Sequence, residues 1–517
     1  MLAVTACNDA DEPMAPAAQS VTFNISESAF GPESRASDQG YMTGFTAGDA
    51  CGLYIVRNGN IACSNVKITA TESEGSLLWQ AETPVGGGLP DESYYLYYPY
   101  QSDMDSNVDA SASDADGFFA PLVSGWQPAA DQSTYADYTA SDLMTAQGTA
   151  SKRSDGTLLL SFSMAHRMVL AVIEMPKTVY KFTDASIPDY TAGTSADFTA
   201  SDIQPYAIAP GTYRCIVNPA SASTKSLVGS YADGKKEFAI TPSAAQGSYK
   251  TYKIDGLTPI EKQAILKMGD YFCKNSDNNW YIIPQEAAPD GKVIGIVFYV
   301  GHHTADQSDY TSTGIGRAQC HGYAVALTDV QNDSSDRLCW ENGPNNEYNR
   351  VVGVSTSEND WQGYYNSMKF HEFVDKNSGW EMKHFPAALA CETYGNRMLD
   401  KDGNDANGKY DWQKPLAAPQ NTSGWFLPSC GQMKCLYQNR SVLSVCMDVV
   451  KNSVPADCSY KGYIKWVNTS WFYWSSTEYR YHPEYANEYR YSNISGYNVF
   501  YDTFKEDTNA VRAVLAF

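Results

Sequence analysis

Basic residues, long apolar runs and catalytic motifs are all scarce in this 517-residue chain. The 37 Lys and Arg stand against 59 Asp and Glu, a net charge of −22 that repels phosphate backbones and anionic membrane surfaces. We therefore expect no nucleic-acid partner. No stretch after the N-terminus approaches 18 uninterrupted apolar residues, so no membrane-spanning helix is expected either.

Motifs that would indicate catalysis are missing as well. There is no Gly-x-Ser-x-Gly elbow, no His-Glu-x-x-His and no phosphate loop. The 12 cysteines contain no C-x₂-C pair followed by a second one, so we interpret most of them as buried thiols and leave any disulfides unassigned. His302-His303 with Asp306 and Asp309 fits a polar loop better than a metal site, and we interpret His166 as structural. The prediction is a protein that is not an enzyme and has no cofactor.

Aromatic and turn-forming residues are abundant, with 37 Tyr, 11 Trp, 38 Gly and 24 Pro. This composition favours a β-rich fold with many turns. Strand-like runs divide the chain after a tether at 1–19 into three predicted regions: a β-sandwich at 20–165, a second, smaller β-sandwich at 166–256, and a third domain at 257–517. In the run Tyr94–Tyr98 aromatic residues would face both sides of the sheet.

The N-terminus MLAVTACNDADE indicates where the protein works. Small residues precede Cys7 as in the lipobox of bacterial lipoproteins, which this stretch resembles although most of a signal peptide is missing. The resemblance implies that Cys7 is lipidated, that only this lipid anchor touches the membrane, and that the protein is an outer membrane lipoprotein at the cell surface. The alternative is an apolar N-terminus with a chance cysteine.

The first two regions resemble the fimbrillin family of lipoprotein pilins. The resemblance rests on the order of Arg35-Ala36, Phe45-x-x-Gly48-Asp49, the strand around His166-Arg167-Met168, and the later segments Tyr213–Pro219 and Tyr249–Gly256. It implies two transthyretin-like β-sandwich domains, and assembly with stalk pilin subunits by strand exchange. It also implies cleavage by an Arg-specific protease, for which Arg35 is the matching position; a solvated loop arginine is the alternative.

The third region resembles the major-paralogous-protein domain, a C-type-lectin-like module with an α+β fold. Its ordered segments include GKVIGIVFYVG, HFPAALAC, GWFLPSCGQMKCL, WFYWSSTEY and the final AVRAVLAF. We expect helices over Phe385–Cys391 and from Ser429 to about Val449, and central strands over Trp471–Ser476 and Ala510–Phe517. Ser429 and Gln432 have the spacing of a capping box.

One acidic run in this region has calcium-like spacing. Asp400, Asp402, Asn404 and Asp411 stand at positions one, three, five and twelve of a loop, but Asp405 replaces the usual glycine and the last ligand is not Glu. A solvated acidic hairpin loop is the alternative, so calcium remains an open question. The sugar-binding triplets of calcium-dependent lectins do not occur.

Long loops in the third region are rich in Trp, Tyr, Asn and Asp, a mixture suited to carbohydrate or protein recognition. The surface candidates for ligand binding are Trp361, Tyr364, Tyr365 and Trp412, whereas Trp425 and Trp474 are assigned to packing.

Together these patterns predict a pilus subunit at the fimbrium tip, an adhesin that accepts a donor strand and presents the lectin-like domain to a host or bacterial glycan or protein. Because the final strand is expected inside that domain, it would not be donated. The competing prediction is a stand-alone surface lipoprotein that binds glycan or peptide. An enzyme related to formylglycine-generating oxidases, using Cys430 and Cys435, ranks third.

Overall fold

The computed structural model of this protein describes residues 21–32, 41, 44–89, 91–104, 106–199, 201–330, 337–396, 408, 410–466, 472–490 and 499–517. The chain forms two compact units, of which unit 1 is Met1–Thr178 with Gly193–Ile260, and unit 2 is Val179–Ala192 with Glu261–Phe517. Within the described ranges, no helix has the length and apolar character needed to cross a membrane.

Unit 1 is built almost entirely from strands. Its first elements are β1 Val21–Glu27, β2 Gly31–Pro32, β3 Ala50–Arg57, β4 Asn60–Ser73, β5 Ser76–Ala81, β6 Glu92–Tyr98, α1 Ala115–Phe118, α2 Ala120–Gly125, α3 Tyr135–Ala140, β7 Met144–Lys152, β8 Leu158–His166 and β9 Val169–Glu174. The next two strands, β10 Lys177–Phe182 and β11 Tyr190–Gly193, belong mainly to unit 2. Unit 1 continues with β12 Ala196–Asp197, β13 Tyr206–Ala209, β14 Thr212–Val217, β15 Leu227–Tyr231, β16 Lys236–Ile240 and β17 Ser248–Lys253.

These strands form a seven-stranded sheet in the order β1-β8-β7-β6-β3-β4-β5, a five-stranded sheet in the order β13-β14-β9-β17-β2, and a small sheet β12-β15-β16. Both faces of the seven-stranded sheet are covered. Along β6, Tyr94, Leu96 and Tyr98 pack in one core, whereas Tyr95 and Tyr97 pack in another that includes the helices and the five-stranded sheet. The prediction of aromatic residues on both faces of this strand is confirmed.

Unit 2 combines strands with helices. Most of β10 and β11 belong to it, and its other elements are β18 Ile260–Ala264, β19 Tyr271–Lys274, β20 Trp280–Ile283, β21 Val293–Val300, β22 Gly322–Ala326, β23 Leu338–Cys339, α4 Gly363–Lys376, α5 Pro386–Glu392, β24 Trp425–Phe426, α6 Cys430–Gln438, α7 Arg440–Ser453, β25 Phe472–Glu478, β26 Tyr485–Arg490, β27 Val499–Phe504, β28 Thr508–Asn509 and β29 Val514–Ala516.

The main sheet of unit 2 has the order β20-β19-β21-β22-β29-β24, so the strand near the chain end is paired on both sides, as predicted for Ala510–Phe517. Arg512, just before β29, is fully buried and pairs with the buried carboxylate of Asp329 at 2.8 Å. A charged residue in an otherwise apolar run is therefore accommodated by an internal ion pair.

The helix after GWFLPS begins where the sequence indicates. The side chain of Gln432 accepts a hydrogen bond from the Ser429 backbone N–H at 2.9 Å, which is one half of the capping box, while the Ser429 hydroxyl donates to the Asp360 carbonyl at 2.5 Å. Met433 and Leu436, three positions apart on one face of this helix, are both buried. Ser429 therefore caps the helix and also ties it to the loop before α4.

Three expectations differ from the structure. The single helix from Ser429 to about Val449 is two helices, which meet at Asn439, where the backbone leaves the helical conformation (φ −101°, ψ 11°). Strand β25 belongs to a separate sheet β25-β26-β27 and not to the central sheet. Val179–Ala192, placed by sequence within 166–256, falls in unit 2, where β10 lies between β11 and β18.

Candidate functional site

An extended segment near the N-terminus, residues 21–32, completes the edges of two sheets in unit 1; we call it the edge segment. Strand β1 lies parallel to β8, in register from Val21 opposite Leu158 to Glu27 opposite Met164. Strand β2 then lies parallel to β17, and the Gly31 N–H donates to the Gly247 carbonyl at 2.9 Å. A single stretch of chain thus covers the outer strand of both sheets.

The edge segment alternates between inward and outward residues. Ile25 and Phe30 are buried, and Val21 and Phe23 are half-buried, while Asn24 and Ser26 are exposed. The inward residues face the apolar side of β8, where Leu158, Leu160, Phe162 and Met164 are buried. If the edge segment left, an apolar strip and a row of unpaired backbone groups would be uncovered.

Phe30 covers a buried pair of titratable residues. Its ring stacks on the His166 imidazole with centroids 3.6 Å apart, and His166 Nδ1 lies 2.8 Å from Asp142 Oδ2. Burial raises the pKa of the Asp142 carboxyl. His166 therefore has the structural setting that was predicted for it. Its carboxylate partner was missed because it lies 24 residues away along the chain.

The pairing of β1 differs from that of the strands beside it. Strand β8 is antiparallel to β7, whereas β1 joins the same sheet in the parallel sense. Parallel pairing is slightly less stable per residue than antiparallel pairing. Strand β1 is thus an edge strand that is held on one side only, by a parallel ladder.

A groove separates β1 from β5, the other edge strand of the seven-stranded sheet. The two strands approach each other without pairing, and the space between them has a volume of about 650 Å³. Its lining includes Val21, Phe23, Leu78, Trp79 and Val85. Leu78 is 46% exposed on β5, so this groove has an apolar rim open to solvent.

Two predicted sites on the N-terminal side, Cys7 and Arg35, lie outside the described residues, as does the tether 1–19. Lipidation and cleavage therefore stay predictions. Arg35 nevertheless follows Pro32, the last residue of the edge segment, by three positions. Cleavage there would separate the whole edge segment from the rest of the chain.

The four aromatic candidates in unit 2 differ in exposure. Trp361 is buried, because its ring stacks on His303 at 3.8 Å and contacts Tyr299 and Tyr323, so the expectation of a surface tryptophan is wrong. Tyr364 is half-buried beside Tyr310. Ligand binding by these residues stays a prediction.

Each of the other two candidates has another side chain packed against its aromatic ring. Tyr365 is 38% exposed, but the Lys369 ammonium lies over its ring at 4.7 Å. Trp412 is half-buried and stacks on Tyr463 at 3.9 Å. Among the described residues of this region, Tyr481 is a more exposed aromatic side chain than any of the four candidates, at 70%.

The calcium-like loop lies largely outside the described residues, namely Asp400, Asp402 and Asn404. Asp411 is described; it is exposed and its carboxylate lies 2.8 Å from the Lys414 ammonium. Calcium binding stays a prediction.

The histidine pair and the nearby aspartates form the expected polar loop. The Asp306 carboxylate accepts hydrogen bonds from the hydroxyls of Tyr310 and Tyr323 at 2.8 and 2.7 Å, and the His302 imidazole contacts the Asp306 carbonyl at 2.9 Å. Across the part of the chain that the structure describes, no group of three or more His, Cys, Asp and Glu is arranged to hold a metal ion.

Buried thiols predominate, as predicted: among the described cysteines, only Cys63 and Cys458 are partly exposed. Burial raises the pKa of Cys430 to about 12 and that of Cys435 to about 11. A reactive cysteine needs the opposite shift, because the thiolate is the nucleophile. These two residues therefore give no support to the enzyme hypothesis.

Comparison with known families finds a match for the N-terminal half of the chain. Residues 34–267 match the family described as Fimbrillin-like. This range covers most of unit 1 and begins one residue before Arg35.

Individual relatives extend over more of the chain. A protein of Bacteroides ovatus named "Putative fimbrium tip subunit Fim1C" is 27% identical over 478 residues, which cover 86% of this chain and 84% of that protein. The crystal structure of a fimbrial protein from Bacteroides ovatus is 24% identical, covers 96% of this chain and 99% of its own, and superposes with a TM-score of 0.43. A fimbrial assembly protein from Parabacteroides distasonis is 14% identical over 51% of this chain and 98% of its own, with a TM-score of 0.25. Both TM-scores are too low to relate individual elements of the folds.

Proposed function

We propose, from the match of residues 34–267 to the fimbrillin-like family, that this chain is a terminal subunit of a cell-surface fimbrium that accepts a strand from a neighbouring stalk pilin. The observation that carries this proposal is the edge segment. It is a short stretch immediately upstream of Arg35, and it occupies the outer strand position of two sheets at once.

In this proposal cleavage at Arg35 releases the edge segment, and an extended segment of a stalk pilin takes its place. The vacated surface offers what such a strand needs, namely the backbone groups of β8 and β17 for hydrogen bonds and the apolar side chains of β8 for packing. The groove between β1 and β5 would widen when β1 leaves, which gives the incoming side chains room.

The tip position is supported by the B. ovatus relative named "Putative fimbrium tip subunit Fim1C". Strand β29 is not itself a candidate for donation. It has partners on both sides, β22 and β24, and Val514, Leu515 and Ala516 are fully buried, so removing it would open the main sheet of unit 2.

Unit 2 then serves as the part that is presented outward, in keeping with the predicted C-type-lectin-like domain and a role in adhesion. Lipidation of Cys7 would carry the subunit to the outer membrane before assembly.

The experiment compares Arg35→Lys with Arg153→Lys, a control at an exposed loop arginine. Each full chain is expressed in a fimbriated host, and its share in sheared, purified fimbriae is measured by immunoblot against the stalk pilins. We expect Arg35→Lys to be absent from fimbriae, because lysine keeps the charge but is not a substrate of an Arg-specific protease, and Arg153→Lys to behave like the parent.

Equal incorporation of Arg35→Lys would contradict cleavage at this position. A parent chain that never co-purifies with stalk pilins would instead favour the second candidate, a stand-alone surface lipoprotein. One observation favours that candidate. The edge segment already pairs with β8 and β17, so the position that a donor strand would take is occupied in the uncleaved chain.

A further inference from the structure

A socket for one aromatic ring lies where the edge segment passes from one sheet of unit 1 to the other. Phe30 stands between β1, which pairs with β8, and β2, which pairs with β17. Its side chain is only 1% exposed. We call the space that this ring occupies the Phe30 socket, because a strand that replaces the edge segment must fill it or leave a cavity.

The floor of the Phe30 socket is the His166 imidazole. The rings of Phe30 and His166 are nearly parallel, with an interplanar angle of 13° and centroids 3.6 Å apart. His166 is the last residue of β8, and its Nδ1 lies 2.8 Å from Asp142 Oδ2. Both side chains of this pair are buried. The floor is therefore a flat ring face whose orientation is fixed by a neighbouring carboxyl group.

The wall beside the ring is backbone that approaches β8 closely. Gly247 has a φ of +71°, and a Cβ atom built on it would lie 2.9 Å from the His166 carbonyl oxygen, so glycine is required there. The Gly247 N–H donates to the Met168 carbonyl at 3.0 Å, and the Gly247 carbonyl accepts from the Gly31 N–H at 2.9 Å. The wall is thus tied both to the main sheet and to the edge segment.

A third contact comes from Tyr41, whose carbonyl accepts from the Phe30 N–H at 3.0 Å. The Tyr41 ring meets Tyr249 edge-on at 4.6 Å, and the Arg214 guanidinium lies 4.3 Å from its centre. The floor, the wall and this contact are all formed by residues that follow Arg35 in the chain. The socket would therefore stay with the main part of the chain when cleavage at Arg35 releases the edge segment.

The chemistry of the socket selects an aromatic ring. Stacking of two rings stabilises a contact beyond what the buried area alone provides, and an aliphatic side chain does not gain this contribution. A charged side chain would be desolvated beside His166 and Asp142, which already pair with each other. The adjacent Arg167 guanidinium is also engaged, 2.5 Å from the Asp116 carboxylate.

This inference rests on the proposed exchange of the edge segment for a donor strand. We propose that the donor segment of the stalk pilin carries an aromatic side chain that takes the place of Phe30 in the socket. This ring also sets the register of the incoming strand, because inward apolar residues at alternate positions would still face inward after a shift of two. In the edge segment the ring stands five positions after Ile25 and one before Gly31, and we expect the same spacing in the donor.

The first experiment measures what the socket accepts, without fimbriae. The full chain is made with a site for a sequence-specific protease in place of residues 34–40, and it is cleaved after folding. Fluorescent peptides with the sequence of residues 21–32 then compete with the cleaved edge segment, and fluorescence anisotropy gives their relative affinities. The series has Phe, Leu or Ala at position 30, and the matched control peptide carries Phe23→Leu, at a half-buried residue of β1.

We expect Phe30→Leu to weaken binding of the peptide about five-fold, because stacking is lost while most of the apolar area is kept. Phe30→Ala should weaken it by about fifty-fold or more, because the socket is left empty. Phe23→Leu should have a smaller effect than Phe30→Leu, since the Phe23 ring is only half-buried.

The floor is tested by the chain variant His166→Leu. The Phe and Leu peptides should bind this variant with equal affinity, because the ring that distinguishes them is gone. Where the variant does not fold, the peptide series on the parent chain decides. Equal affinities of the Phe and Leu peptides for the parent chain, an equal loss in the Phe23→Leu control, or no binding of any peptide would overturn the inference.

The second experiment identifies the donor in assembled fimbriae. A benzophenone side chain is placed at Ser163, which is exposed on β8 opposite Ser26, and as a control at Ser154 in an exposed turn. After irradiation of purified fimbriae, mass spectrometry identifies the peptide joined to each position. At position 163 we expect a stalk-pilin segment with an aromatic residue about four positions from the joined residue, the separation of Ser26 and Phe30. Position 154 should give no such product.

The outcomes separate this inference from the proposal on which it rests. A stalk segment joined at position 163 without an aromatic residue near the expected place would overturn the inference although strand exchange occurs. If no stalk segment is joined there, strand exchange itself is contradicted, whereas the peptide affinities still measure the preference of the socket for a ring.

Discussion

Lys505 illustrates how single residues stabilise unit 2. Its ammonium has no access to solvent and is held by Glu478, Glu341 and the Arg350 carbonyl, which accepts from it at 2.6 Å. Desolvating three charges is unfavourable, so the network is stable only while every member is present. It also joins the turn between β27 and β28 to β25, which contains Glu478.

We predict that Lys505→Met lowers the free energy of unfolding of unit 2 by about 3–5 kcal/mol, because two carboxylates are left buried without their cation. The measurement is urea unfolding followed by tryptophan fluorescence. Lys376→Met is the matched control, since that ammonium is largely exposed and pairs with Glu372 at 3.5 Å on the surface of α4. Lys376→Met should lower the free energy of unfolding by no more than about 0.5 kcal/mol. A loss below about 1 kcal/mol in Lys505→Met would show that the network does not stabilise the fold.

These residue contacts could not be read from the sequence. Lys505 and Glu478 are 27 positions apart, and nothing in the run DTFKED marks a lysine that turns inward. Trp361 shows the same limit, because a tryptophan in a polar loop gives no sign that a histidine from a distant loop will cover it. A local sequence pattern predicts that a side chain is exposed correctly only when no element distant in the chain packs against that side chain.

At the scale of elements, β1 is the part of unit 1 whose attachment matters most for the proposed assembly. We predict that Ile25→Thr loosens it, because Ile25 is the buried residue of β1 opposite Phe162 and a hydroxyl there has no described partner. Hydrogen exchange of the β8 amides that face β1 should become about ten-fold faster, while β7 stays unchanged.

Ser26→Thr is the control for this measurement, since Ser26 points outward from the same strand. Unchanged exchange on β8 in Ile25→Thr would mean that backbone pairing alone holds β1. Faster exchange throughout unit 1 would mean that β1 is an inseparable part of the fold and not an exchangeable edge.

Elements with strong local signals were predictable. The start of α6 is indicated by an apolar run, a proline and the spacing of Ser429 and Gln432. The start of α5 is indicated by Pro386. The break at Asn439 and the transfer of Val179–Ala192 to unit 2 were not. The first depends on the backbone conformation of one residue, and the second on pairing between β10 and β18, about 80 residues apart along the chain.

At the scale of the whole molecule, the two units divide the work that we propose. Unit 1 would carry the edge strand by which the chain joins a fimbrium, and unit 2 keeps β29 inside its main sheet. The resemblance to fimbrillins could be found from motif order because the residues that carry it mark turns and strands. The edge segment itself could not be assigned from sequence, because its partners β8 and β17 lie more than 100 residues away.

The most direct test of the central claim is to tie the edge segment in place. Ser26 and Ser163 are exposed register partners on β1 and β8, so the double variant Ser26→Cys, Ser163→Cys can form a disulfide across the pair. We predict that the oxidised double variant is absent from purified fimbriae, that reduction restores it, and that each single variant is incorporated under both conditions. Incorporation of the oxidised double variant at the parental level would contradict the claim that a donor strand replaces β1.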